Sequence, residues 1–206
     1  MQLLLIRHGQ SAGNAAERIQ GWNDEPLTDA GRTQALALAR RLQREHNVRA
    51  IYASPLLRAR ETAEVIADVL CLHVTFDERL KEHDIGVVTG LSFKEVQARY
   101  PEMAKHWQES PWHMPVPGSE DNGAFRRRVM ASMDEIVSRH QEDDTVAVVS
   151  HGGALGTFLA GLLELDLRKR NPWMLGNASL SVVVLGGVRP RIALLNDTCH
   201  LNHLHD

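Results

Sequence analysis

The sequence predicts a three-layer α/β fold, with a mostly parallel central sheet covered by helices on both faces and an antiparallel edge strand. Three observations carry this expectation. Short apolar runs at 3–6, 50–53 and 145–149 are each followed by a polar or glycine-containing turn and then by helical spacing of apolar residues. The first and last of these runs are continuous rather than alternating, as strands covered on both faces require. The final two runs, SLSVVVLG and RIALLN, are joined by Gly186-Gly187-Val188-Arg189-Pro190, a hairpin signal that adds antiparallel pairing.

Taken in order, the first strand lies in LLLIRHGQSAGN, residues 3–14, and ends abruptly in Arg7-His8-Gly9. A polar loop, GNAAERIQGWNDEPLTD, leads to a helix from about Asp29 to Glu45, with Thr28 as N-cap and Ala35, Leu38, Ala39 and Leu42 on one face. AIYAS is the second strand. Ser54-Pro55 then opens a helix to about Leu70, serine at the N-cap and proline at its first position. HVTF is the third strand. Ser92 and Glu95 make a capping box for a short helix ending near Pro101, and WQESPWHMPVPGSED reads as a loop. A long helix from about Ser119 to His140, the strand TVAVVS and the helix ALGTFLAGLLEL complete the pattern before the final hairpin. All of 1–206 is expected to form one domain, with an insertion over about 84–140 that covers the functional site.

Bulk properties exclude several classes. A formal charge of −3 offers no basic field for a nucleic-acid backbone, so no nucleic-acid partner is expected. Cys71 and Cys199 stand at no metal-ligand spacing and fit a reducing compartment. No apolar run reaches membrane-spanning length and no signal segment precedes the first strand, so a cytoplasmic protein without a membrane partner is expected. A homodimer is compatible with the sequence.

The chemistry concentrates at strand ends: Arg7-His8-Gly9, Ser54 with Arg58 in the following turn, and Ser150-His151-Gly152. If these three strands are parallel, their carboxyl ends share one edge of the sheet, where open α/β sheets bind ligands. Two arginines and two histidines then converge. A phosphoryl group suits that set, because its oxygens need cations and fixed donors, and the helix N-termini after Ser54 and His151 would add more. Taken alone, His8 could be a base, an acid, a nucleophile or a metal ligand.

LIRHGQSAGN, GWNDEPLTDAGRTQA, YASPLLRARETAE, DERLKEHDIG and VSHGGAL occur in the order found in the histidine phosphatase superfamily, the phosphoglycerate mutase-like group, which the chain resembles over nearly its whole length. The resemblance implies that His8 is the phosphorylated nucleophile. It also implies that Arg7, Arg58 and His151 complete the phosphate pocket and that Glu82 is the proton donor, with Asp84 and His83 as less favoured candidates. Asn14, Gln20 and Gly21 match substrate-contacting positions, and Gly152 joins them beside His151. Two guanidinium groups near His8 would keep its ring neutral. No cofactor and no metal are implied. HDIGVVTG departs from the family pattern, so Val87, Val88 and Thr89 are expected to alter pocket shape. The family's mutases carry a longer segment between the acid and the second histidine than Glu82 to His151 here, which favours hydrolysis over transfer.

The expected function is therefore hydrolysis of a small phosphate ester. The alternatives are a 2,3-bisphosphoglycerate-dependent mutase and a non-catalytic phospho-ligand binder. His200, His203 and His205 fall in CHLNHLHD, a terminal tail of the kind that is commonly solvated or loosely docked, so no metal is assigned to them. Trp107, Trp112 and Trp173 are expected to pin loops to the core, Trp112 being the one placed to reach a substrate.

Overall fold

The computed structural model describes residues 1–109, 116–165, 174–186 and 189–204. Its centre is one six-stranded sheet made of β1 (Gln2–Arg7), β2 (Val48–Ala53), β3 (Val74–Phe76), β4 (Thr145–Ser150), β5 (Leu180–Val184) and β6 (Arg191–Asp197). The order is β3-β2-β4-β1-β5-β6. The first four are mutually parallel, while β5 runs antiparallel to β1 and β6 antiparallel to β5. β5 alone therefore runs against the other five strands of this sheet, and the edge strand beside it, β6, points the same way as the parallel set, so the antiparallel strand is not at the edge as expected. Part of the predicted hairpin turn, residues 187–188, lies outside the described residues.

The helices are α1 (Ala12–Ala15), α2 (Asp29–Glu45), α3 (Leu57–Leu70), α4 (Phe93–Arg99), α5 (Pro101–Glu109), α6 (Asn122–Ser138) and α7 (Gly152–Leu162). Side chains alternate across β1 and β4, and each face has its own core. Leu3, Leu5, Val146 and Val148 pack with Phe125, Val129 and Met133 of α6 and Leu155 and Phe158 of α7. Leu4, Ile6, Ala147 and Val149 pack with Leu38 and Leu42 of α2 and Ala63 and Ile66 of α3. This double burial is why the runs at 3–6 and 146–149 have no polar residue in them.

Several elements differ from expectation. Ser54 does not cap α3: the helix begins two residues after Pro55, its N-cap is Leu56 without a side-chain bond, and Ser54 Oγ is drawn to His151 Nε2 at 2.7 Å. Ser11 caps the unpredicted α1 through a capping box with Asn14. The capping box of Ser92 and Glu95 forms as expected. Pro101, however, both ends α4 and starts α5. Tyr100 before it has left the helical region (φ −136°, ψ 62°), as the clash with a following proline requires, and proline is favoured in a first helical turn. Residues 101–109, partly expected as loop, are thus helical.

The insertion has a small core of Val88, Val96, Met103, Ala104 and Val116, against which Trp107, Ile19 and Ile85 pack. Trp107 therefore pins a helix rather than a loop. Trp112 and Trp173 lie outside the described residues.

Candidate active site

β1, β2 and β4 end at the same edge, with Arg7 in register with Ser150 and Ala53 with Val149. The next residues stay locked side by side: the His8 N–H donates to the Ser150 carbonyl and the Ser54 N–H to the Val149 carbonyl, both at 3.0 Å. His8, Ser54 and His151 are thereby brought together. Gly9 allows the close packing behind them, since a Cβ there would lie 2.5 Å from the Gly31 carbonyl oxygen.

The partners of His8 fix its tautomer. Nδ1 lies 2.7 Å from the Gly9 carbonyl, which can only accept, and Nε2 lies 3.2 Å from Arg58 Nε, which can only donate. Nδ1 carries the proton and Nε2 presents a lone pair. Burial, then the Arg58 and Arg7 guanidinium groups, hold the His8 pKa well below the ordinary histidine value. The arginines were expected to keep the ring neutral, but burial is the larger cause. His151, its ring centroid 5.2 Å from that of His8, is likewise held well below the ordinary value, by burial first and then by Arg58.

Arg58 on α3 donates from Nη1 to the Asn23 carbonyl and from Nη2 to the Gly21 carbonyl, each at 2.8 Å. Burial pushes its pKa down to about 10, so it stays charged at neutral pH. Arg7 Nη1 donates to the Leu175 carbonyl. Among the described residues, the buried side-chain polar atoms without a hydrogen-bond partner are Arg7 Nε and His151 Nδ1. Both belong to this cluster.

Glu82 sits opposite. Its Oε2 accepts from the Gly153 N–H at 2.9 Å and its Oε1 from the His83 N–H at 2.8 Å. At the helix starts expected to face a phosphate, the Gly153 N–H of α7 meets Glu82 and the Leu57 N–H of α3 donates to Asp24 Oδ1. Every predicted site residue except His151 lines one cavity of about 380 Å³. His151 has no exposed surface and lies behind that wall. Asn14 and Gln20 line the cavity with their amide oxygens 2.9 and 2.7 Å from Ser11 Oγ, whose single proton serves one of them at a time. The Gly21 carbonyl anchors Arg58. His83 also lines the cavity, its Nε2 bonded to the Glu120 carbonyl at 2.9 Å, whereas Asp84 Oδ1 accepts from Gly86 N–H and closes a turn.

None of Val87, Val88 and Thr89 lines the cavity; Ile85 does, and Val88 is wholly buried in the insertion core. Asn177 was not singled out from sequence, yet its Nδ2 reaches the carbonyls of His8 and Gly9 and Asn14 Oδ1 within 3.3 Å. At the C-terminal turn, His200 bonds Arg41 and the Ala178 carbonyl, and no metal-binding group of three is found among the described residues. His205 and the side chain of His203 lie outside the described residues. Cys71 and Cys199 are free and exposed. No described helix is long and apolar enough to cross a membrane.

The sequence profile of the histidine phosphatase superfamily (branch 1) matches residues 3–198. The chain belongs to that superfamily. Phosphoserine phosphatase 1 of Hydrogenobacter thermophilus is 37% identical over 205 residues, which span 100% of this chain and 96% of that protein. Probable phosphoglycerate mutase GpmB of Erwinia tasmaniensis is 33% identical over 183 residues, 89% of this chain and 84% of its own. The solved structure of Bacillus stearothermophilus YhfR shares the fold with a TM-score of 0.88 at 31% identity, covering 98% of this chain and 99% of that one. The paired histidines and arginines of this histidine phosphatase therefore sit in a fold whose relatives carry out phosphoryl chemistry.

Proposed function

We propose that this histidine phosphatase hydrolyses a small phosphomonoester, phosphoserine or a close analogue, through a phosphohistidine on His8 Nε2. One observation carries the reading: among the described residues, the buried side-chain polar atoms left without a partner are Arg7 Nε and His151 Nδ1, and both belong to residues that stand with Arg58 around the His8 ring. Buried polar groups are normally paired, so a pair left open beside a nucleophile marks the place of phosphoryl oxygens. In this reading Ser54 Oγ, 2.7 Å from His151 Nε2, is the donor of that bond, which leaves the ring's proton on Nδ1 for the transferring group.

His8 Nε2 attacks phosphorus, the ester P–O bond breaks, and the leaving alkoxide takes a proton from Glu82. Water then attacks the phosphohistidine while the Glu82 carboxylate accepts its proton, and the P–N bond breaks to release inorganic phosphate. Arg58 and Arg7 hold the phosphoryl charge throughout. The substrate choice rests on the phosphoserine phosphatase at 37% identity over the whole chain.

The test is rapid quench with 32P-labelled phosphoserine. The phosphoenzyme is expected to be acid-labile and alkali-stable, and His8→Ala should abolish both it and turnover. Acid-stable label would place the phosphoryl group on a hydroxyl instead. A parallel assay of 3-phosphoglycerate with and without 2,3-bisphosphoglycerate separates hydrolysis, which releases phosphate steadily, from primer-dependent isomerisation.

A further inference from the structure

Glu82 lies on no helix or strand. It follows a 3-10 turn, Glu78–Leu80, and a bare loop would not hold a carboxylate to the tolerance that proton transfer needs. The backbone around it is nevertheless fully engaged. Arg128 Nη1 donates to the Arg79 carbonyl at 2.8 Å and to the Lys81 carbonyl at 2.7 Å. Its Nη2 donates to the Glu82 carbonyl at 2.7 Å. The one carbonyl it skips, that of Leu80, accepts from Ser150 Oγ at 2.7 Å. The Glu82 carbonyl also receives the Trp22 indole N–H at 2.7 Å.

The guanidinium is oriented in turn. Its outer edge is held by both Glu120 oxygens, Nε to Oε1 at 2.6 Å and Nη2 to Oε2 at 2.8 Å. All five N–H donors of Arg128 are therefore used: three on the segment that carries Glu82 and two on the carboxylate that fixes the plane. Its Cζ stands 4.9 Å above the Phe125 ring, which stacks on His83 from the same helix. We propose that Arg128 is the positioning residue for Glu82, clamping the backbone of 79–82 onto α6 so that the carboxylate faces the leaving oxygen. The proposal rests on the proton-donor role given to Glu82 above. Arg128 does not itself line the cavity; it meets the site through the Glu82 carbonyl and the Phe125 ring.

The test compares single-turnover phosphorylation by phosphoserine, whose alkoxide must be protonated, with that by p-nitrophenyl phosphate, whose leaving group departs without help. Arg128→Lys keeps the charge but supplies three donors in place of a five-donor fork. It should slow phosphorylation by phosphoserine by roughly 10²-fold, the cost of a misplaced catalytic group, and change p-nitrophenyl phosphate and vanadate affinity little. Glu82→Gln should show the same selectivity, and Arg128→Lys added to Glu82→Gln should cost nothing more. Should Arg128→Lys fail to fold, Glu120→Gln, which loosens the outer edge of the clamp, carries the same expectations. Equal losses for the two leaving groups, or losses additive with Glu82→Gln, would overturn the proposal while leaving Glu82 as the acid. If Glu82→Gln itself costs both substrates equally, the proton-donor reading falls and this proposal with it.

Discussion

Arg58 is 1% exposed, yet its cation is kept, because Nε is spent on His8 and the η nitrogens on the carbonyls of Gly21 and Asn23. Each η nitrogen has a second proton left over, so the same fork can hold the loop and a phosphoryl oxygen at once. Arg58→Lys should therefore weaken vanadate inhibition at least tenfold and also lower stability by about 1–3 kcal/mol, since buried carbonyls lose their donors. Vanadate titration and urea unfolding check the two halves; unchanged vanadate affinity would remove Arg58 from the phosphate contacts. At this scale the sequence was informative where chemistry resides in side-chain type: Arg7, His8, Arg58 and His151 at strand ends are unusual enough to be noticed. Arg128 and Asn177 escaped because they act on backbone carbonyls, which every residue possesses and which leave no mark on composition.

The start of α7 shows what an element contributes. Its Gly153 N–H holds Glu82, and a Cβ at that position would lie 2.3 Å from Glu82 Oε1. Gly153→Ala should preserve or slightly raise helix stability, by up to about 1 kcal/mol, because alanine is the better helix former. It should nevertheless cut phosphoserine turnover at least tenfold by pushing the carboxylate aside. A thermal melt alongside the turnover assay separates these effects, and retained turnover would mean that the carboxylate relaxes without loss. α2 was legible to the residue because Thr28 caps it and its apolar spacing is regular. The start of α3 was not, since the serine that would cap it serves His151, and α5 was obscured because Pro101 was read as a stop only.

Over the whole molecule, burying two neutral histidines ties stability to pH. His8 and His151 have folded-state pKa values well below the unfolded value, so below about pH 6.5 the unfolded chain binds protons that the folded one refuses. Stability is full above that pH and is lost on acidification, by about 1.4 kcal/mol per pH unit for each ring until its folded pKa is reached. His200, also lowered by burial, adds in the same direction. Urea midpoints between pH 7.5 and 5 should show the decline, and His151→Gln should flatten it; an unchanged slope would mean the ring is already protonated in the fold. Strand alternation made the layer order readable, because both faces of β1 and β4 are buried and both had to be apolar. The central place of β1 has a temporal consequence. The strand ends at Arg7, yet its hydrogen-bonding neighbours β4 and β5 begin only at Thr145 and Leu180. At a synthesis rate of roughly 5–20 residues per second, Leu3–Ile6 wait unpaired for many seconds, an aggregation-prone edge that the nascent chain must keep sheltered.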